Sequence, residues 1–102
     1  MTIASLMKII RMVPREKLAA MDKIIRELED LTNSQTSVLK KIGQIEAENI
    51  NLGDKYLEDK LPDIFEHADD ALKEATSIHT EYAELREKFV KDNKLDEPEP
   101  ES

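Results

Sequence analysis

The chain has no cysteine, no tryptophan and only two glycines among its 102 residues. The absence of cysteine excludes a disulfide framework, a thiolate zinc site and a cysteine nucleophile. Because Gly43 and Gly53 lie ten residues apart, there is no glycine-rich loop to cradle a phosphate. Two histidines without a nucleophile turn do not make a hydrolase triad. The sequence therefore predicts a protein that is not an enzyme and has no cofactor.

Long apolar runs are also missing. No stretch approaches the roughly 18 apolar residues of a membrane span, and residues 1–13 lack the cleavage pattern of a signal peptide. We expect a soluble, intracellular and cytoplasmic protein. Its formal net charge of -8 argues against a nucleic-acid partner.

The charge is unevenly placed along the chain. Residues 1–26 carry six basic and two acidic side chains, a sum of +4, whereas the other 76 residues carry nine basic and 21 acidic ones, a sum of -12. A basic end and an acidic end orient a molecule against a partner or against a second copy of itself.

Aliphatic residues recur with helical spacing over most of the chain and predict an all-α fold. We expect one helical domain at residues 1–91, with helices at about 2–13, 15–52 and 62–91. The last two form a long, coiled-coil-like antiparallel hairpin in this interpretation. Residues 92–102, acidic and rich in Pro and Glu, are predicted to be a disordered tail.

The first predicted helix is short and amphipathic, and Pro14 after it suits the first turn of the next helix. Its apolar side would be an interface made by Ile3, Leu6, Met7 and Ile10. This segment either packs on its own bundle, fills a groove on a partner or lies on an anionic membrane. We rank packing on its own bundle first and membrane contact last.

The second predicted helix has a heptad seam that is apolar at nine of eleven positions. The seam comprises Met21, Ile24, Leu28, Leu31, Gln35, Val38, Ile42, Ile45, Asn49, Leu52 and Tyr56. A polar cluster at 32–37 offers an alternative, a compact three-helix bundle with a turn there. We favour one continuous helix, because a turn resets the heptad phase and Leu31 and Val38 remain seven residues apart.

The last predicted helix has two neighbouring rows of apolar residues. Its main seam comprises Leu61, Phe65, Ala68, Leu72, Ala75, His79, Tyr82, Arg86 and Phe89, and its second row comprises Ile64, Ala71, Ile78 and Leu85. Such a face is wider than a two-stranded contact requires. The hairpin is therefore expected to be completed as a four-helix bundle, by dimerisation or by a partner.

Three polar residues on these seams are candidates for determining specificity. Gln35 and Asn49 are amides that could fix register, although a frayed helix end would explain them equally well. His79 is either a pH-sensitive buried contact or a partly exposed interface residue, and we favour the second.

A row of carboxylates is the one motif with a possible metal chemistry. Asp63, Glu66, Asp70 and Glu74 share one side of the last helix. We interpret this row as a solvated face, and a metal-dependent bundle enzyme is the alternative. Neither histidine completes the Glu-x-x-His pair of a carboxylate-bridged metal site.

These patterns predict a non-enzymatic helical interaction module, an adaptor, structural subunit or inhibitor whose partner is itself or another helical protein. The alternative is a small secretion-linked or chaperone-like hairpin that binds a client helix. A helical hairpin of this length is similar to the small proteins exported by type VII secretion systems, which carry Trp-x-Gly at the turn. This chain has no Trp, and we assign it to no family.

Overall fold

The computed structural model describes residues 13–97, which form two long α-helices packed antiparallel as a hairpin 61 Å long. Helix α1 spans Pro14–Leu52 and helix α2 spans Lys55–Asp92. The predicted all-α hairpin is confirmed. The predicted short helix, with Ile3, Leu6, Met7 and Ile10, lies outside the described residues. Neither α1 nor α2 is long and apolar enough to cross a membrane.

Helix α1 is continuous through the polar cluster. Thr32 Oγ1 donates to the carbonyl of Leu28 at 3.0 Å, Thr36 Oγ1 to that of Thr32 at 3.0 Å, and Ser37 Oγ to that of Asn33 at 3.2 Å. These hydroxyls bond to carbonyls four residues earlier in the chain, so they need no turn to find a partner. The alternative with a turn at 32–37 is therefore wrong.

A two-residue turn joins the helices. Gly53 has a φ of +69°, a left-handed conformation, and its N–H donates to the carbonyl of Asn49 at 2.7 Å. Asp54 caps α2, because its side chain accepts from the N–H of Leu57 at 3.0 Å. Both residues are the turn and cap that the sequence indicates.

Helix α2 begins at Lys55, seven residues before the predicted start at 62. The prediction relied on Pro62, because proline favours the first turn of a helix. Pro62 instead lies inside the helix with its ring exposed. One missing N–H is tolerated near the start of a helix of 38 residues that Asp54 already caps.

The C-terminal end of α2 is more ordered than the predicted tail from residue 92. Asp92 is still helical, and Lys94 has a left-handed φ of 55°. The N–H of Leu95 donates to the carbonyl of Val90 at 2.9 Å, and that of Lys94 to the carbonyl of Lys91 at 3.2 Å. These two bonds make a Schellman motif. Only residues 98–102 of the predicted tail lie outside the described part of the chain.

The core between the helices is thin. The described residues include six buried apolar side chains, and two of these are alanines, Ala68 and Ala75. Twelve large apolar side chains in the same part of the chain are at least 38% exposed. The hairpin therefore leaves more large apolar residues in contact with water than it buries.

Candidate functional site

The contact between the helices uses one row of each predicted seam. On α2, every predicted seam position is buried or half-buried except Phe65, which is 40% exposed. On α1, the row of Met21, Leu28, Gln35, Ile42 and Asn49 turns toward α2 as predicted.

The second row of the predicted α1 seam does not contact α2. Ile24, Leu31, Val38 and Ile45 are 47%, 44%, 44% and 38% exposed, and Leu52 and Tyr56 beyond them are 72% and 68% exposed. The seam toward α2 is instead completed by the residues one position later in the chain. These are Ile25, Thr32, Leu39 and Glu46, preceded by Leu18, and all five are half-buried.

The exposed rows of the two helices lie on the same side of the hairpin. Leu31 and Gln35 of α1 line one groove together with Ala71 and Ile78 of α2. Because both rows repeat every seven residues, this shared side extends along the helices. We call it the open apolar face, and it consists of Ile24, Leu31, Val38, Ile45 and Leu52 of α1 with Ile64, Ala71, Ile78 and Leu85 of α2.

Charged side chains border the open apolar face on both edges. Counting in sevens from residue 20 on α1 and from residue 60 on α2 gives the next position outward on each helix. These positions hold four acidic and three basic exposed residues, namely Glu27, Glu48, Glu74 and Glu81 with Lys41, Lys60 and Lys88. The border is thus close to neutral, although the chain as a whole carries -8.

The other side of the hairpin has a smaller apolar patch. Phe65 lines a shallow groove there with Gly43, Ala47 and Ile50, and Ile50 is 82% exposed. This patch covers about one heptad of α1, so it is much shorter than the open apolar face.

Asn49 is a structural part of the turn. Its side chain is 5% exposed, its Nδ2 donates to the carbonyl of Asp54 at 3.1 Å, and its Oδ1 accepts from the N–H of Asp54 at 3.0 Å. Both groups of the amide are therefore bonded within the chain. Of the alternatives for Asn49, the structure favours the helix end over partner selection.

Gln35 and His79 remain candidates for specificity. Both are half-buried on the seam between the helices, and Gln35 also lines the groove of the open apolar face beside Leu31. A partner packed on that face would lie against the Gln35 amide.

Polar contacts hold the helices in register near the open end of the hairpin. Arg86 Nε donates to Asp22 Oδ1 at 2.8 Å, and Arg86 Nη1 donates to Glu87 Oε1 at 2.6 Å. The bond to Asp22, followed by that to Glu87, raises the pKa of the Arg86 guanidinium. Lys17 Nζ lies 5.4 Å from the centre of the Phe89 ring, a cation–π contact between the helices.

The carboxylate row at 63–74 offers no metal centre. Within residues 13–97, no group of three or more His, Asp or Glu side chains is placed to hold an ion. Asp69, beside that row, accepts from Lys73 at 2.9 Å, and this hydrogen bond raises the pKa of Lys73.

The seam residues that sequence reasoning missed are Leu18, Ile25 and Leu39. They share one heptad row, but Thr32 and Glu46 interrupt it, so the neighbouring row from Ile24 to Ile45 is the more continuous apolar pattern. The two flanking rows could have been recognised together as a sign that α1 has two contact surfaces.

Comparison of the chain with protein-family models, with curated proteins and with solved structures finds no match.

Proposed function

We propose that this chain is a non-enzymatic helical interaction module, and that the open apolar face is its protein-binding surface. The observation that carries the proposal is the pair of apolar rows exposed on the same side of both helices. A solvated face would alternate with charge, whereas Ile24, Leu31, Val38 and Ile45 form an uninterrupted row.

The size of the face supports a protein partner. A surface 61 Å long and two helices wide, roughly 20 Å, has an area on the order of 1,200 Å². The largest apolar patch of an ordinary monomer is about 300–600 Å². Covering each half-exposed aliphatic side chain contributes on the order of 1 kcal/mol, so contact along the whole face favours stable association.

The shape of the face also supports helices as its ligands. Apolar side chains at intervals of seven residues accept the side chains of another helix into the spaces between them. The role fits an adaptor, a structural subunit or an inhibitor that acts through bundle packing.

The experiment compares two variants that differ in the side of the hairpin they change. Ile78→Glu puts a charge in the middle of the open apolar face, and Ile50→Glu puts the same charge on the opposite side. Both side chains are at least half exposed, so both variants should remain helical by circular dichroism.

Association is measured by light scattering of the pure protein and by isolation of the tagged chain from its source cells. We expect the wild type and Ile50→Glu to be recovered in a stoichiometric assembly, homomeric or heteromeric, and Ile78→Glu to be recovered without one. A wild-type chain that stays single in both measurements would contradict the proposal, as would an assembly that Ile78→Glu leaves intact.

A further inference from the structure

We infer that the occupant of the open apolar face is a second copy of this chain, packed face to face with its turn at the opposite end. This inference rests on the proposed function and names the partner. The resulting dimer is a four-helix bundle in which α1 packs on α1 of the second copy and α2 on α2. Three features of the described residues support it: length, the match of the two rows, and charge.

Length excludes a short occupant as the complete cover. The exposed rows run from Ile24 to Leu52 on α1 and from Ile64 to Leu85 on α2. The 12 residues that precede Val13 would span at most about 18 Å as a helix, which is less than a third of the 61 Å hairpin. A second hairpin has the required length and the required width of two helices.

The match of the rows favours an identical partner. Both rows have the same period of seven residues, and their members are aliphatic at every position. A two-fold axis across the face sets each row against its own copy, so the spacing of the side chains agrees along the whole contact. The face also exceeds the roughly 800 Å² per partner that a standard stable interface buries.

The neutral border removes the main obstacle to self-association. A chain of net charge -8 would repel its copy if the acidic residues surrounded the contact. Four acidic and three basic residues border the open apolar face, so most of the excess negative charge lies elsewhere on the chain.

The two ends of the hairpin differ in charge, and this difference sets the orientation. Residues 46–66 at the turn end carry seven acidic and two basic side chains, a sum of -5. Residues 13–26 and 82–97 at the open end carry eight basic and seven acidic ones, a sum of +1. Two adjacent turn ends would bring -10 together, whereas opposite turns place each acidic end beside a weakly basic one.

Individual charge pairs along the border do not alter this choice. With the middles of the helices aligned, Glu27 is level with Lys41 of the second copy, a favourable pair, whereas Lys60 is level with Lys88, an unfavourable one. Exposed pairs of this kind contribute little. The net charge of the ends is the larger effect.

The test measures mass first. Sedimentation of the pure wild-type chain, from low to high micromolar concentration, should give twice the mass of 11.7 kDa. Ile78→Glu should weaken the dimer by roughly a hundredfold, and Ile50→Glu should leave it unchanged. A wild-type monomer that holds a different protein on the same face would overturn the inference and leave the proposed function standing, whereas a monomer without any protein partner would overturn both.

Orientation is measured with a single spin label in each chain. Because the chain has no cysteine, Asn51→Cys next to the turn gives one labelling site at an exposed position. Turns at opposite ends predict a distance between labels close to the 61 Å length of the hairpin. A distance of roughly 20–30 Å, two to three helix diameters, would overturn the proposed orientation. This readout uses a chain whose apolar face is unchanged, so it does not depend on whether Ile78→Glu folds.

Discussion

At the turn, Gly53 adopts a φ of +69° that costs an L-residue about 1–2 kcal/mol. A Cβ built at Gly53 meets no atom within 4 Å, so the backbone conformation is the whole cost of a side chain there. We expect Gly53→Ala to lower the free energy of unfolding by about 1 kcal/mol. Urea denaturation at one fixed protein concentration measures the change.

Gly43 is the matched control for that substitution. It lies inside α1, and a Cβ there also meets nothing within 4 Å, so the glycine does not serve a close approach of α2. Gly43→Ala should therefore raise the free energy of unfolding by about 1 kcal/mol, the difference in helix propensity. Equal effects of the same sign at Gly43 and Gly53 would show that the turn conformation is wrong.

Asn49 gives a second prediction at the residue scale. Asn49→Ala removes two hydrogen bonds to the backbone of Asp54 and leaves polar groups of a half-buried turn without their partner. The expected loss is about 2 kcal/mol of unfolding free energy. Asn51→Ala, two residues away and exposed, should change the unfolding free energy by less than about 0.5 kcal/mol. A similar small effect of both substitutions would argue against the role of Asn49 in the turn.

At the scale of the helices, sequence pattern predicts the elements better than their contacts. Unbroken heptad phase between Leu31 and Val38 predicts that α1 continues, and Gly53 with Asp54 predicts the turn. The start of α2 is missed because Pro62 is compatible with a first turn and with a position further inside the helix. Local signals of equal strength at Asp54 and Pro62 are decided by the contacts of Leu57 and Leu61 with the end of α1, which no single segment specifies.

The facing row of α1 could not be derived from α1 alone. The row that contains Leu28 and Ile42 is flanked by Ile24 and its heptad equivalents on one side, and by Ile25 and its equivalents on the other. Either flank makes a regular seam, because the two differ by one residue and about 100° around the helix. Only the position of α2 selects Ile25, and the same selection leaves Ile24 exposed as part of the candidate site.

The continuity of α1 can be tested at the polar cluster. Asn33→Pro should lower the free energy of unfolding by about 3 kcal/mol, because proline lacks the N–H and its ring collides with the preceding turn of the helix. Asn33→Ala, at the same exposed position, should be neutral or stabilising by a few tenths of a kcal/mol. A chain that tolerates proline as well as it tolerates alanine would support the discarded bundle with a turn at 32–37.

For the whole molecule, exposed area and core size lead to the same expectation. No side chain among the described residues is less than 2% exposed, and the six buried apolar residues include two alanines. A hairpin with so small a core has little stability to offset the conformational entropy of two long helices. The apolar side chains missing from the core are those of the open apolar face, so association would provide the burial that folding alone does not.

Stability should therefore depend on protein concentration. Folded chains that dimerise are stabilised by mass action, so the Tm of the wild type should rise by several degrees for each roughly hundredfold increase in concentration. Ile50→Glu should keep this dependence, because it changes the opposite side of the hairpin. Ile78→Glu should lower the Tm and remove the dependence together, since the single hairpin then unfolds without dissociating. A wild-type Tm that is constant over the same range would mean that the isolated hairpin is stable by itself and that folding is not coupled to association of the chain with itself.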